Sequence, residues 1–206
     1  MHAQTSIDGT DQDLSGNEDR TESEQSPIGY ADFTVGVDAL VAALEDCPAW
    51  NLHTPRRDAY AHMAMSDIWV RFNAWENYKG DLARFNDEHE SVWYPVSWQV
   101  PQIRLAVNDV MAHLPESELG GVLITRIPPG GEIAPHVDEG WHAEYYTAKY
   151  AVQLKGNAEQ SFNFEGFSLS PLPGQVFRFD NSREHWIDNP SEEERMTMIV
   201  CTREIN

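Results

Sequence analysis

Apolar residues recur at helical spacing in two stretches of the first half of the chain and at strand spacing through most of the second. Val37, Leu40, Val41 and Leu44 follow the i, i+3, i+4, i+7 rhythm of an amphipathic helix, which Pro48 should stop. Ser66 to Phe72 alternates as a strand does. Pro101 suits a first helical turn, where its missing N–H costs nothing. Ile103, Val107, Val110 and Leu114 then lay an apolar stripe along a second helix ending near Glu116. After Gly121 the texture changes to short β-rich runs: Val122 to Ile127, Tyr145 to Lys155, Gln160 to Phe164, Phe167 to Leu169, Gln175 to Phe179, and Arg195 to Thr202. Turn signals punctuate them at Pro128-Pro129-Gly130-Gly131, Gly156-Asn157, Glu165-Gly166 and Pro173-Gly174.

This pattern predicts a mainly β (α+β) domain, an antiparallel sandwich or barrel preceded by two helices that pack on a sheet. The leader is different. From Met1 to about Ser26 it is almost free of apolar residues and cannot repay the entropy of ordering, so it reads as a disordered acidic tail over 1–27, with one folded domain over 28–206. No internal repeat is visible. The longest apolar runs, such as Met198 to Cys201, are far too short for a membrane span, and no basic-then-apolar export signal opens the chain.

Charge removes some partners. A formal net charge of −20 over 206 residues argues against nucleic acid, whose affinity depends on clustered Lys and Arg. The two cysteines, Cys47 in the first expected helix and Cys201 in the last expected strand, have no short-spaced partner and read as reduced core residues. This usage fits a cytoplasmic protein. A small molecule or peptide is the expected ligand, and the oligomeric state is open.

The candidate chemistry begins at His136-Val137-Asp138. In an extended segment His-x-Asp places an imidazole and a carboxylate on the same side. With eight histidines and 34 acidic residues, chance alone supplies on the order of one such match. A second, His142-Ala143-Glu144, follows Gly140-Trp141 and lacks the strand, turn and proline that precede His136. His185, after the run Gln175 to Asp180, returns to the first pair if the strands close into a roll. Two imidazoles and one carboxylate suit Fe(II) and leave three adjacent positions, enough for a bidentate oxoacid and O2. Singly, each histidine reads equally well as a loop or surface residue.

Two cations bear on a cosubstrate. Arg195 opens the last strand and offers a planar fork for a carboxylate; without the triad it would read as a surface partner of Glu192, Glu193 or Glu194. In the Tyr145 to Lys155 run, Tyr150, Val152 and Leu154 form one face, while Tyr145, Thr147, Lys149, Ala151 and Gln153 form the other. If the apolar face packs on the helices, Lys149 looks inward and needs an anion nearby. An ordinary solvated lysine on an exposed sheet face is the other reading.

The stretch from Gly121 to Thr202 resembles the aspartyl/asparaginyl β-hydroxylase family of iron and 2-oxoglutarate dioxygenases. The resemblance rests on Thr125-Arg126-Ile127-Pro128-Pro129-Gly130-Gly131 leading to Pro135-His136-Val137-Asp138, then Leu172-Pro173-Gly174-Gln175, and Asp180-Asn181-Ser182-Arg183-Glu184-His185 through Asn189 to Arg195. It implies a double-stranded β-helix (jelly-roll, cupin-like) fold. It also implies Fe(II) at His136, Asp138 and His185, with Arg195 and the Thr125 hydroxyl on one 2-oxoglutarate carboxylate. Members commonly carry an arginine and a histidine where this chain has Lys149 and Ala151, which leaves the second carboxylate contact open.

The implied activity is C–H hydroxylation coupled to release of succinate and CO2. Family substrates include peptidyl Asp or Asn, free amino acids such as proline, and lipid acyl groups, of which lipid is least favoured without an anchor. Trp141, His142, Glu144, Tyr145 and Tyr146 are candidates for the entrance, with core packing the first reading for the tyrosines. The alternative class is a cupin-like metal-binding module without oxygenase activity, and Arg195 is the residue that separates the two.

Overall fold

The computed structural model describes residues 26–52 and 65–205. The expected tail therefore lies outside the described residues except for Ser26 and Pro27. These two lead into strand β1, Ile28–Thr34, where the Pro27 carbonyl accepts from the Asp180 N–H at 2.8 Å. Helix α1 spans Asp38–Leu44, β2 Ser66–Phe72, the short α2 Trp75–Tyr78, and a 3-10 turn Leu82–Asn86. Next come β3 Val92–Trp93, α3 Val96–Gln99 and α4 Pro101–His113. The remainder is β4 Ser117–Ile127, β5 Glu132–His136, α5 Trp141–Tyr145, β6 Ala148–Lys155, β7 Ser161–Phe164, β8 Phe167–Leu169, β9 Gln175–Phe179, β10 His185–Asp188 and β11 Arg195–Glu204.

These strands form a seven-stranded sheet, β1-β9-β6-β11-β4-β2-β3, and a four-stranded sheet, β5-β10-β7-β8, antiparallel throughout. The fold is the mainly β, cupin-like double-stranded β-helix expected from the sequence. Strand parity explains its two cores. On β11, Met196, Met198 and Val200 face outward and join Ile103, Val107 and Val110 of α4, together with Leu40 and Leu44 of α1. The alternate positions, Arg195, Thr197, Ile199 and Cys201, face the other way, into the roll. There a second core of Ile127, Ile133, Ala151, Phe162, Phe164, Phe177, Phe179 and Ile187 joins the sheets. In β6, Val152 and Leu154 belong to the helix side and Ala151 to the interior, as the parity reading requires.

Several boundaries move for identifiable reasons. The second helix ends at His113 instead of near Glu116, because Leu114 precedes Pro115 and takes the extended conformation that the ring demands (φ −90°, ψ 156°). Tyr145 does not open β6. Gly140, at φ +92°, turns the chain into α5, and Trp141 stacks on Tyr145 at 4.9 Å, an i, i+4 pair that belongs to a helix. Cys47 lies just beyond α1, and like Cys201 it is a buried thiol outside any disulfide among the described residues. The strand β1 carried no clear alternation, since it is an edge strand with only Ile28 fully buried.

Candidate active site

The pairing of β10 with β5 places His185 directly opposite His136, and their rings lie 4.4 Å apart. The Asp138 N–H donates to the Asn181 carbonyl at 3.2 Å, which fastens the loop after β5 to the loop before β10. Asp138 Oδ1 is thereby 4.0 Å from His136 Nε2, and Oδ2 is 3.9 Å from His185 Nε2. The three ligand atoms all fall within 4.8 Å of one another. The rival His142 and Glu144 do not join a metal-ligand group of this kind among the described residues.

The histidines are set up as ligands. Nδ1 of His136 faces the Ala134 carbonyl and Nδ1 of His185 the Arg183 carbonyl, each at 2.9 Å. A carbonyl can only accept, so Nδ1 carries the proton and Nε2 presents its lone pair to the other ligands. Burial lowers the His185 pKa to about 4 and keeps it neutral, which metal ligation requires. Metal bonds of about 2.1 Å at right angles separate adjacent ligand atoms by about 3 Å, so closing on an ion needs movements of roughly an ångström. The donor set and its spacing fit Fe(II).

Around the triad is a cavity of about 330 Å³ between the sheets. The sequence candidates Thr125, His136, Asp138, Lys149 and His185 all line it. Lys149 faces inward and meets an anion, as expected; that anion is Asp138, held in an ion pair with little exposure on either side. The Thr125 hydroxyl donates to the Thr197 carbonyl at 3.4 Å. Arg195 does not line the cavity. It is buried on the same face of β11, one inward position along from Thr197, whose register partner is Thr125. It is 1% exposed, and Nε, Nη1 and Nη2 have no hydrogen-bond partner among the described residues. Burial pushes its pKa down to about 10. Such an orphaned cation fits a bound carboxylate better than the surface pairing with Glu192, Glu193 or Glu194.

Of the residues expected near the entrance, His142 lines the cavity wall. Its Nε2 accepts from the Gly121 N–H at 2.9 Å, and burial drives its pKa to about 3. Tyr146 is core, its ring so close to Gly120 that a Cβ there would sit 2.6 Å from it. A depressed folded pKa means that the unfolded chain binds protons that the fold refuses, from about pH 6.5 down to about 3. Stability therefore falls on acidification through that window. In His142→Gln, the loss of unfolding free energy of the metal-free protein between pH 6.5 and 5 should shrink by about 2 kcal/mol in urea titrations.

One wall escaped the sequence reading. Leu82, Ala83, Phe85 and Asn86 of the 3-10 turn line the cavity beside Trp69 and Phe72 of β2. Buried Asn73 holds that turn, donating Nδ2 to the Arg84 and Phe85 carbonyls at 3.3 and 3.1 Å. Asn86 Nδ2 in turn donates to the Glu139 carbonyl at 2.9 Å and packs on Gly140, where a Cβ would lie 2.2 Å away. These ties run from isolated asparagine side chains to backbone 11 to 53 residues away, and they leave no periodic signal.

The turn after β4 is fixed by Asn189, whose Nδ2 reaches the carbonyls of Ile127, Pro128 and Glu193 at 3.3, 2.9 and 2.8 Å. No helix among the described residues is long and apolar enough to cross a membrane.

A prolyl hydroxylase from Trichoplax adhaerens, solved with a hypoxia-inducible-factor oxygen degradation domain peptide fragment, superposes with a TM-score of 0.55. It covers 87% of this chain and 84% of its own at 9% identity, and shows the fold. The viral collagen prolyl hydroxylase from Paramecium Bursaria Chlorella virus-1, in complex with 2-oxoglutarate, gives a TM-score of 0.47 at 14% identity, covering 88% and 98%. An oxidoreductase of the 2-oxoglutarate-Fe(II) oxygenase family from Burkholderia pseudomallei gives 0.46 at 14% identity, covering 69% and 70%. No curated protein sequence matches the chain. The family profile of the aspartyl/asparaginyl beta-hydroxylases matches residues 40–204, most of the chain and all of the candidate site. The chain therefore belongs to the aspartyl/asparaginyl β-hydroxylase family and is a 2-oxoglutarate- and Fe(II)-dependent dioxygenase.

Proposed function

We propose that the protein hydroxylates a C–H bond of an amino acid or of an Asp/Asn-type peptide side chain, with His136, Asp138 and His185 holding the iron. The observation that carries this reading is the pairing of that triad with Arg195, a buried guanidinium without a partner among the described residues and on the same interior face of the roll. Bound iron, 2-oxoglutarate and O2 would supply the oxidising chemistry, one oxygen entering the C–OH product and one the succinate, with loss of CO2.

The protein's own groups do the rest. Arg195 and the Thr125 hydroxyl take one carboxylate of the oxoacid, by a charge-assisted fork and a neutral hydrogen bond. Lys149, a candidate cosubstrate residue whose contact with 2-oxoglutarate the sequence leaves open, has the Asp138 carboxylate as its partner and so orients that ligand. Phe162 and Phe179 pack on the His185 ring at 5.5 Å each and keep bulk water from that side.

Anaerobic loading with Fe(II) and 2-oxoglutarate, followed by oxygen and a panel of amino acids and peptides, tests the proposal through succinate formation. Substrate-stimulated succinate is expected. Metal binding without any metal-dependent binding of 2-oxoglutarate would overturn it and favour a cupin-like binding module.

A further inference from the structure

The walls of the cavity hold little that would welcome a substrate carboxylate. Lys149 is the one lysine or arginine among its lining residues, and it is already paired with Asp138. His142, the lining histidine outside the triad, accepts the Gly121 N–H and is kept neutral by burial, so it offers no positive charge. Arg195 lies off the cavity wall and is assigned to the oxoacid. By contrast Glu139 lines the cavity and is exposed, as is the apolar Leu82 of the same lining, which is 48% exposed. The backbone of Glu139 is pinned by the Asn86 hydrogen bond, and Gly140 behind it is held against the same amide. The carboxylate is therefore carried on a fixed turn at the open side of the site.

Much of the rest of the lining is hydrocarbon, including Phe72, Phe85, Leu123, Ile199 and the ring of Trp69, whose buried indole N–H has no hydrogen-bond partner among the described residues and is a neutral donor, not a cation. At about 330 Å³ the cavity is near the small end of ligand pockets, which run from about 300 to 1,000 Å³, and it must also admit the oxoacid. What fits beside the oxoacid is one side-chain-sized apolar group.

From this geometry we infer that the substrate presents an aliphatic group to the iron and carries an ammonium that meets Glu139 at the mouth, so that amines are taken and matched carboxylates refused. The inference rests on the proposed oxygenase site and, among the amino acids and peptide side chains proposed for it, selects amine-bearing aliphatic ones over the acidic side chain of Asp. Two effects act in the same direction. An ammonium gains attraction from Glu139, whereas a carboxylate suffers repulsion from it and finds no cation on the wall to repay desolvation. Each contribution is that of a partly solvated pair, so the expected discrimination is about tenfold.

The test uses the full chain with Mn(II) in place of iron, titrated with 3-methylbutylamine and with 4-methylpentanoate, which share the same hydrocarbon tail. Both titrations are made with and without saturating 2-oxoglutarate, and 2-oxoglutarate binding is itself measured. The amine should bind about tenfold more tightly; Glu139→Gln should bring the ratio of the two affinities close to one, and Glu139→Lys should invert it. A ratio compares two ligands on one protein, so a partial folding defect leaves it unmoved. Equal or tighter binding of the carboxylate, or a ratio unchanged in Glu139→Gln, overturns the inference even where 2-oxoglutarate binds normally. Failure of 2-oxoglutarate to bind would instead overturn the oxygenase reading, while the titrations without it still decide between amine and carboxylate.

Discussion

In His185→Ala, the thermal stabilisation that a divalent ion gives the wild-type protein should disappear, and succinate formation should fall below detection. At a metal concentration one hundred times Kd, binding to the folded state alone stabilises by about 2.7 kcal/mol. For a chain of this size that is a rise in Tm of roughly 5–10 °C. The ring of His185 is 3% exposed and stands across from His136, so its Nε2 cannot be replaced by a neighbour or a surface group. Two ligands on one short segment would remain, with affinity lower by a factor on the order of 100 or more, since even partners one shell further out matter at the 10- to 100-fold level. The measurement is a pair of melting curves, with and without Mn(II), for wild type and variant. An undiminished metal-induced shift in the variant would show that His185 is not a ligand and would remove the basis of the assigned site. The same curves without metal report the packing cost of losing a ring stacked on Phe162 at an interplanar angle of 7°.

The parts of this site that could be read in the sequence are those whose geometry is local. His136 and Asp138 share a face because an extended chain alternates, and Lys149 looks inward because Val152 and Leu154 of the same strand look out. Pairings between strands are another matter. That His185 sits opposite His136 is decided by the register of β10 on β5, which the turn chemistry and the second core fix jointly, and which no window of sequence contains. Asn189 illustrates the same point. It was visible within the family resemblance, but its work of tying two carbonyls at the start of the β4–β5 turn to the Glu193 carbonyl of the β10–β11 loop exists only in three dimensions.

The wall formed by the 3-10 turn and the mouth at Glu139 was illegible for a related reason. Glu139 is one of 34 acidic residues in a chain of net charge −20, so nothing in composition marks it out. Its distinction comes from Asn86, which crosses to its carbonyl from a segment with neither helical nor strand periodicity. The strand β1 was missed because an edge strand buries only one residue fully and so lacks the alternation that a half-buried strand writes into sequence. The motifs legible between Gly121 and Thr202 thus define the iron end of the cavity, while much of the substrate end is built from residues before Pro101 and from the turn after Asp138.

Replacing Arg195 with methionine should move two observables in opposite directions. A guanidinium that is 1% exposed, with three nitrogens lacking hydrogen-bond partners among the described residues, is a cost to the metal-free fold. The fall of its pKa to about 10 reflects that cost, which is present in full below about pH 10 because the group stays charged there. Methionine fills much of the same space with an unbranched apolar chain, so the variant should be more stable than wild type in the absence of ligand, by about 1–3 kcal/mol in urea titrations. For 2-oxoglutarate the sign reverses. A charge-assisted hydrogen bond contributes about 1.5 to 3 kcal/mol, so the variant's Kd for the oxoacid should rise roughly 10- to 150-fold, measured with Mn(II) present and oxygen excluded. Metal affinity measured without the oxoacid should change far less, because Arg195 touches none of the three ligands. A purely structural arginine would give a destabilised variant with unaltered oxoacid affinity, the reverse on both counts. The combination of gained stability and lost cosubstrate is the signature of a charge retained in the interior for binding and not for folding.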